Sequence, residues 1–161
     1  MSQTAQSKLY ALDAPRLAGL KPNQPGLSSS ERKYVLLQSS TDLQAEQFSM
    51  GSALIKEGEV PLTAYMVTKG TIELRTPGSP HLLGPGAVVG MAEGLANLPV
   101  LYGAYALTDV EVQALSVVDV EMSLERSSPK LRGILQLSIE RILGDRFFAS
   151  RVDSVFSTRG R

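Results

Sequence analysis

Short apolar runs separated by turn residues fill the middle of the chain, from Phe48 to about Ser116. The runs occupy residues 53–55, 64–67, 72–74, 82–83, 105–107 and 110–115. Between them lie turn sequences rich in glycine and proline, such as Lys69-Gly70 and Gly84-Pro85-Gly86. Many short strands at close spacing with such turns are typical of an antiparallel barrel or sandwich. The pattern therefore predicts a mainly β domain with antiparallel strands.

After Leu115 the apolar period lengthens from two residues to about 3.6. A helical stripe begins near Pro129, a favourable first-turn residue that follows Ser127 and Ser128. The stripe contains Leu131, Leu135, Ile139, Ile142 and Leu143. Further apolar residues lie outside it, namely Ile134, Leu137, Phe147, Phe148, Val152, Val155 and Phe156. The sequence therefore predicts C-terminal helices that are apolar over more than one face.

A helix that is apolar over more than one face buries more than one side. One face would cover the strands, and the other would meet a partner helix. This interpretation predicts a homodimer through the C-terminal helix, with contacts from Leu135, Ile139, Ile142 and Phe148. The alternative is a helix that frays at Gly144 and folds back on its own domain.

The residues before the predicted domain differ from it in composition. Residues 1–30 are rich in serine, glutamine, proline and glycine and lack periodicity, which predicts a flexible N-terminal arm. A short helix follows, with Ser29 or Ser30 as its N-cap. The predicted domain covers residues 31–143, and residues 144–161 form a helical extension or tail.

Composition excludes several function classes. The 161 residues suffice for one domain, and the formal net charge of +0 gives no overall attraction to nucleic acid or to an anionic membrane. Cysteine is absent, which excludes disulfides and thiolate metal sites and favours a cytoplasmic protein. Residues 87–107 carry Glu93 as their one charge, but the glycines and Pro99 indicate strands and a turn rather than a membrane span.

Neither catalysis nor DNA binding is indicated. His81 is the single histidine and no Gly-x-Ser-x-Gly occurs, so no metal site or hydrolase is expected. Residues 126–161 hold eight basic and three acidic residues, which we interpret as a charged helix face and a tail. Too few residues follow the last helix for a helix-turn-helix domain, so no DNA partner is expected.

An ordered set of residues from Phe48 to Leu143 resembles the cyclic-nucleotide-binding domain family. The set comprises Phe48-Ser49, Gly51, Ile55, Glu57-Gly58-Glu59, Tyr65-Met66-Val67, Lys69-Gly70-Thr71-Ile72, Leu83-Gly84-Pro85-Gly86, Val89-Gly90, Ala106, Thr108-Asp109, Leu115, Pro129 and Leu131. The resemblance implies an antiparallel double-stranded β-helix, a jelly-roll-like barrel, with a short helix in a phosphate-binding cassette and with C-terminal helices.

The resemblance also implies how a ligand would be held. In such a cassette the N–H groups of a short helix meet the cyclic phosphate, a glutamate holds the ribose and an arginine pairs with the phosphate. The corresponding segment covers residues 88–107, where Met91 stands in place of the glutamate and Val100 in place of the arginine. Glu93, two residues beyond Met91, could reach the ribose after a shift in register.

No residue of the segment replaces the missing cation. Between Arg75 and Arg126 the sequence has no lysine or arginine. We therefore predict that Met91, Leu95, Val100, Leu101 and Tyr102 fill the pocket, and that cAMP and cGMP do not bind in the usual way. The candidate pocket or interaction residues are Gly90, Met91, Ala92, Glu93, Leu95, Val100, Leu101 and Tyr102.

Two functions are compatible with these residues. The first is a non-enzymatic regulatory or adaptor domain that binds an unidentified protein partner and no cofactor. The alternative is a receptor that binds cAMP, cGMP or another nucleotide in an altered mode, with Arg132, Arg141 or Arg146 of the C-terminal region supplying the charge.

Overall fold

The structure is a computed structural model that describes residues 11–38 and 43–144. Its helices are α1 (Ala14–Leu17), α2 (Ser29–Gln38), α3 (Met91–Ala96), α4 (Val117–Glu125) and α5 (Pro129–Leu143). Its strands are β1 (Gln44–Phe48), β2 (Ala53–Ile55), β3 (Thr63–Lys69), β4 (Ile72–Arg75), β5 (His81–Leu83), β6 (Val88–Val89), β7 (Gly103–Ala106) and β8 (Val110–Ser116). No helix of the described ranges is long and apolar enough to span a bilayer.

The strands form two four-stranded sheets, in the orders β1-β8-β3-β6 and β2-β7-β4-β5. Each strand of the first half pairs antiparallel with its counterpart in the second, β1 with β8, β2 with β7, β3 with β6 and β4 with β5. This nested pairing is that of a jelly roll and confirms the predicted fold. No strand pair in the described part joins the two sheets, so the roll is open rather than a closed barrel.

The core lies between the two sheets. Val67, Ile72, Val110 and Val112 are at most 1% exposed and come from both sheets. Along β8, Val110 and Val112 alternate with half-buried neighbours, as the period of two requires. The apolar runs of the sequence therefore become the inner faces of the roll.

The segment predicted as a flexible arm packs against the first sheet in its described part. Leu17 is fully buried and joins Leu27, Tyr34 and Met66 in a small separate core. The amide of Leu12 donates a hydrogen bond to the Pro85 carbonyl at 2.7 Å. The leucines lie among serines, glycines and prolines without periodicity, so their burial depends on tertiary contacts that composition does not reveal. Residues 1–10 lie outside the described residues.

The N-cap of α2 is Ser28, one residue before the earlier of the two predicted caps, Ser29 and Ser30. The hydroxyl of Ser28 accepts from the Glu31 amide at 3.2 Å, and the Glu31 carboxylate accepts from the Ser28 amide at 2.7 Å. This reciprocal pair is a capping box. The guanidinium of Arg16 contacts the same carboxylate. The cap therefore also ties α1 to α2.

Helix α5 begins as the sequence predicts. Pro129 occupies its first turn, and the Ser128 hydroxyl accepts a hydrogen bond from the Leu131 amide at 3.3 Å. The helix ends at Gly144, which adopts a positive φ of 55°. Helix α4, between β8 and α5, has a similar cap in Ser116, whose hydroxyl accepts from the Asp119 amide at 3.3 Å.

Candidate functional site

The cassette segment runs from β6 through α3 to β7. Gly90 precedes α3 with a positive φ of 85°. A Cβ at this position would lie 2.8 Å from Ile55 Cδ1 and 3.3 Å from Pro61, so the backbone passes too close to both residues for a larger side chain. Asn97 ends the helix in the left-handed conformation. The ends of the short helix are therefore fixed by local backbone geometry.

Helix α3 is held on its other side by the C-terminal helices. Leu95 and Ala96 are buried in a second core with Val117, Ile139 and Leu143. Gly94 faces Val117 so closely that a Cβ would lie 2.7 Å from its Cγ2. The cassette helix is therefore packed against the helices that follow the roll.

The start of α3 meets a hydroxyl of the same chain. The Gly90 amide donates to Tyr102 Oη at 3.3 Å, and Tyr102 Oη donates to Glu93 Oε2 at 3.4 Å. Both distances exceed the usual range for bonds of these types, so both bonds are weak. Glu93 is 9% exposed, although it is charged. Tyr102 thus lies where the sequence resemblance predicted the cyclic phosphate.

Val100, which stands in place of the expected arginine, is a core residue. Its side chain is fully buried among the residues of the two sheets. Its amide donates to the Glu59 carbonyl and its carbonyl accepts from the Gly58 amide, both at 2.9 Å. The backbone on either side of the valine side chain is therefore fixed, and the side chain points into a dry environment.

The residues predicted to fill the pocket divide between two cores and the surface. Val100 and the half-buried Tyr102 pack with the core of the roll. Met91 and Leu95, with Ala92, pack instead against the core of the C-terminal helices. Leu101 does not fill the pocket, because it is 53% exposed at the turn before β7. Alternation along the chain turns its side chain outward next to the inward Val100.

A cavity of about 380 Å³ lies between β2 and the start of β3, and two of its wall residues, Ile55 and Pro61, lie close to Gly90. Its walls include Ile55, Glu59, Pro61 and Tyr65. Burial raises the pKa of the Tyr65 hydroxyl, and the negative charges of Glu46 and Glu59 raise it further. The cavity wall holds one charged residue, the acid Glu59, and no basic residue, so it favours a neutral or positive occupant over an anion.

Arg75 and Arg132 have other contacts in the structure. The Arg75 guanidinium lies over the Tyr105 ring, 4.1 Å from its centroid, and 3.4 Å from the Glu73 carboxylate. Arg132 donates to the Glu125 carbonyl at 2.9 Å, at the C-terminal end of α4. Arg141 is exposed on α5, and Arg146 lies outside the described residues.

Two of the residues predicted for the dimer interface lie inside the domain. Ile139 is 5% exposed, and Leu135 is half-buried against the same core of α3 and α4. Ile142 is 69% exposed, as a contact residue must be, and Phe148 lies outside the described residues. The periodicity gave two apolar faces without indicating which one covers α3. In the structure, the face that carries Leu135 and Ile139 covers α3.

The bond between Tyr102 and Glu93 is open to a direct test. Tyr102→Phe removes the partner of the Gly90 amide and of a buried carboxylate, so we expect a loss of about 1–2 kcal/mol in the free energy of unfolding. Urea denaturation followed by circular dichroism measures it. Tyr105→Phe, which keeps the ring under Arg75, is the control and should change stability by less than about 0.5 kcal/mol. Equal effects in the two variants would contradict a role for the Tyr102 hydroxyl.

Several solved structures resemble the fold. The cAMP-bound form of the EAL enzyme Bd1971 matches with a TM-score of 0.56 and 18% identity, over 66% of this chain and 30% of that chain. A protein of a cyclic-GMP-dependent pathway that regulates bacterial phytopathogenesis matches with a TM-score of 0.55 and 22% identity, over 73% and 94%. A cyclic nucleotide-binding-like protein from Brucella abortus has 27% identity and a TM-score of 0.48, over 58% and 84%.

The match to the EAL enzyme is confined to one part of that protein, since this chain spans less than a third of its length. No curated protein sequence matches the chain at a significant level. The sequence profile described as "Cyclic nucleotide-binding domain" matches residues 45–127, from β1 through α4. With more than half of its length matched, the chain belongs to the cyclic nucleotide-binding domain family.

Proposed function

We propose that this domain is a non-enzymatic regulatory module that no longer binds cAMP or cGMP in the usual way and acts through contacts with other proteins. The proposal depends on one observation above all. At the position where the family resemblance calls for an arginine, the chain has Val100, fully buried in the core of the roll. A guanidinium cannot take its place without opening that core.

The energetic consequence follows from the charge of the ligand. A cyclic nucleotide carries a phosphate anion, and loss of a buried charged partner typically costs about 2–5 kcal/mol. That corresponds to a roughly thirtyfold to several-thousandfold loss in affinity. The negative charge of Glu59, which lines the cavity, adds to the penalty rather than offsetting it.

The Tyr102 hydroxyl supports the same proposal. It already accepts the hydrogen bond of the Gly90 amide at the start of α3. A phosphate would have to displace it and leave the buried Glu93 without this partner. The amide at the start of α3 thus already has a hydrogen-bond acceptor within the same chain.

The alternative function is a receptor with an altered binding mode. The structures of Bd1971 include forms bound to cAMP and to cGMP, and a cavity of about 380 Å³ lies between β2 and the start of β3 in this chain. A ligand in that cavity would meet the Glu59 carboxylate and a tyrosine rather than a cation. For the regulatory module itself we propose a cytoplasmic location, on the absence of cysteine.

Calorimetric titration with cAMP, cGMP and cyclic dinucleotides tests the proposal. We expect no saturable heat with any of them at ligand concentrations up to about 1 mM, where a complex would contribute at most about 4 kcal/mol of binding free energy. Thermal unfolding with the same ligands should also be unchanged, because only a bound ligand stabilises the folded state. A saturable micromolar response would refute the proposal and favour the receptor.

A further inference from the structure

Strand β1 has the longest open edge in the described part of the fold. The edge strands of the two sheets are β1, β6, β2 and β5. Strand β6 has two residues, β5 has three, and β2 has three with a shift in its register. Strand β1 has five residues, and each pairs in turn with a residue of β8. No described strand pairs with the other side of β1.

The sequence of β1 lacks the features that usually block such an edge. Natural sheets protect their edges with proline, lysine, a bulge or a covering element. Residues Gln44–Phe48 include no proline and no lysine, and their register with β8 is unbroken. The first four of them are exposed. The backbone N–H and C=O groups on the outer side of β1 can therefore pair with a further strand.

A polar pocket of about 440 Å³ lies beside this edge. Ala45 and Gln47 of β1 stand opposite Gln113 and Glu111 of β8, so the four residues share one face of the sheet. All four line the pocket, and so does Glu46. We call it the β1 pocket. The residues of β8 that alternate with Glu111 and Gln113 are buried, so the pocket lies on the face turned away from the core of the roll.

The charges of the β1 pocket favour a basic side chain. Its charged wall residues are Glu46 and Glu111, both acidic. Lys69 Nζ lies 3.4 Å from Glu111 Oε1, but the two side chains are 73% and 46% exposed, so this ion pair is weak. The side-chain oxygen of Gln113 is buried and has no hydrogen-bond donor among the described residues. A lysine or arginine supplies both a positive charge and N–H donors.

The far wall of the pocket is held in place by helix α2. Tyr34 of α2 is 2% exposed and packs in one cluster with Met66 of β3. The last residue of α2, Gln38, lines the pocket. The Thr68 hydroxyl donates to the Glu111 carbonyl at 3.0 Å. The pocket is thus preformed, which lowers the cost of ordering when a partner binds.

A second copy of the chain fits this edge poorly. Glu46 is the middle residue of β1, so a symmetric antiparallel pair of β1 strands would place it opposite the Glu46 of the other copy. Like charges directly opposite each other destabilise a pair of strands. A basic segment of another protein meets no such repulsion.

We propose that β1 binds an extended segment of another protein as an added strand, with a lysine or arginine of that segment in the β1 pocket. In strand addition, main-chain hydrogen bonds provide the affinity and side-chain pockets provide the specificity. The inference rests on the proposed function in protein contacts, and it states the chemistry of one partner as an extended, basic segment.

Titration with a synthetic peptide, followed by ¹H–¹⁵N NMR of the full chain, tests strand addition. The probe is a short end-blocked peptide in which threonines and valines flank a central lysine. We expect saturable shifts of the amides of Gln44–Phe48, with a dissociation constant of about 1 mM or tighter. Methylating the backbone nitrogens of one set of alternate peptide residues should abolish binding, and methylating the other set should not, because one edge of the peptide meets β1.

Charge reversal tests the pocket. The peptide with glutamate in place of lysine should bind the unmodified chain at least about tenfold more weakly. Glu46→Lys should weaken binding of the lysine peptide by a similar factor. Glu57→Lys is the control, since Glu57 is exposed in the turn after β2 and does not line the β1 pocket, and it should bind like the unmodified chain. Circular dichroism of each variant establishes that it is folded.

Three results would overturn the proposal. One is the absence of shifts in β1 up to about 1 mM of the lysine peptide. Another is an equal effect of the two sets of methylated nitrogens, which indicates attraction without strand pairing. The third is broadening of the β1 amides as the chain alone is concentrated, which indicates that a second copy occupies the edge. None of these results depends on the nucleotide titration, so the two proposals fail separately.

Discussion

Replacing Val100 with arginine is expected to lower the free energy of unfolding by about 3–5 kcal/mol, because an unpaired charge would be buried in a dry core. Val100 is fully buried between the sheets. Leu101→Arg is the matched control, since the neighbouring side chain is 53% exposed. It should change stability by less than about 0.5 kcal/mol. Urea denaturation of both variants measures the difference.

The same pair of variants bears on nucleotide binding. If the position of Val100 still faced a pocket for a cyclic phosphate, Val100→Arg would fold as stably as Leu101→Arg and would gain affinity for cAMP. We expect neither. A Val100→Arg variant as stable as the unmodified chain would contradict the placement of this position in the core.

Gly70→Ala is expected to destabilise the domain by about 3 kcal/mol or more, as a sum of backbone strain and a steric overlap. Gly70 adopts a φ of 86° in the turn between β3 and β4. A Cβ there would overlap the Asp109 carbonyl oxygen and lie 2.8 Å from the Thr108 hydroxyl. The turn between β7 and β8 therefore leaves no room for a side chain.

Gly58→Ala isolates the steric part of this effect. Gly58 has nearly the same φ, 88°, but no atom within 4 Å of a Cβ. The Gly58→Ala variant should lose only about 1 kcal/mol in its free energy of unfolding, which is the cost of the backbone conformation alone. Equal losses at the two positions, measured by thermal unfolding, would contradict the close packing of the two turns.

The strands of the roll could be predicted because each carries a local signal. The run that becomes β8 buries alternate residues, and the short apolar runs that become β2, β3 and β4 are followed by turn residues. Strand β1 has no such signal. Its residues Gln44–Phe48 are polar except for Ala45 and Phe48, and the first four are exposed. It pairs with β8 at the edge of its sheet, and an edge strand needs no apolar face.

The site could be predicted only in outline. The missing cation could be predicted, because the absence of lysine and arginine between Arg75 and Arg126 is visible in the sequence itself. The pairing of Tyr102 with Glu93 and Gly90 depends on the turn between α3 and β7, which no local pattern encodes. The alternation of Val100 and Leu101 between core and solvent is likewise set by the backbone of that turn. A valine followed by a leucine gives no indication of which side chain is buried.

The orientation of α5 could not be predicted from the sequence either. Its apolar residues cover more than one face, so the pattern does not fix which face turns toward the domain. The contacts of Leu95 and Ala96 select the stripe with Ile139 and Leu143. That choice leaves Ile134 and Ile142 exposed and places the candidate interface on the opposite face.

The amide of Gly90, followed by ¹H–¹⁵N NMR as cAMP is added, tests the central claim most directly. This group would meet a cyclic phosphate, and it donates to Tyr102 Oη instead. We predict that its resonance and those of α3 stay in place up to about 1 mM ligand, the weak end of measurable affinity. A saturable shift of the Gly90 amide, together with release of the Tyr102 ring, would contradict the account.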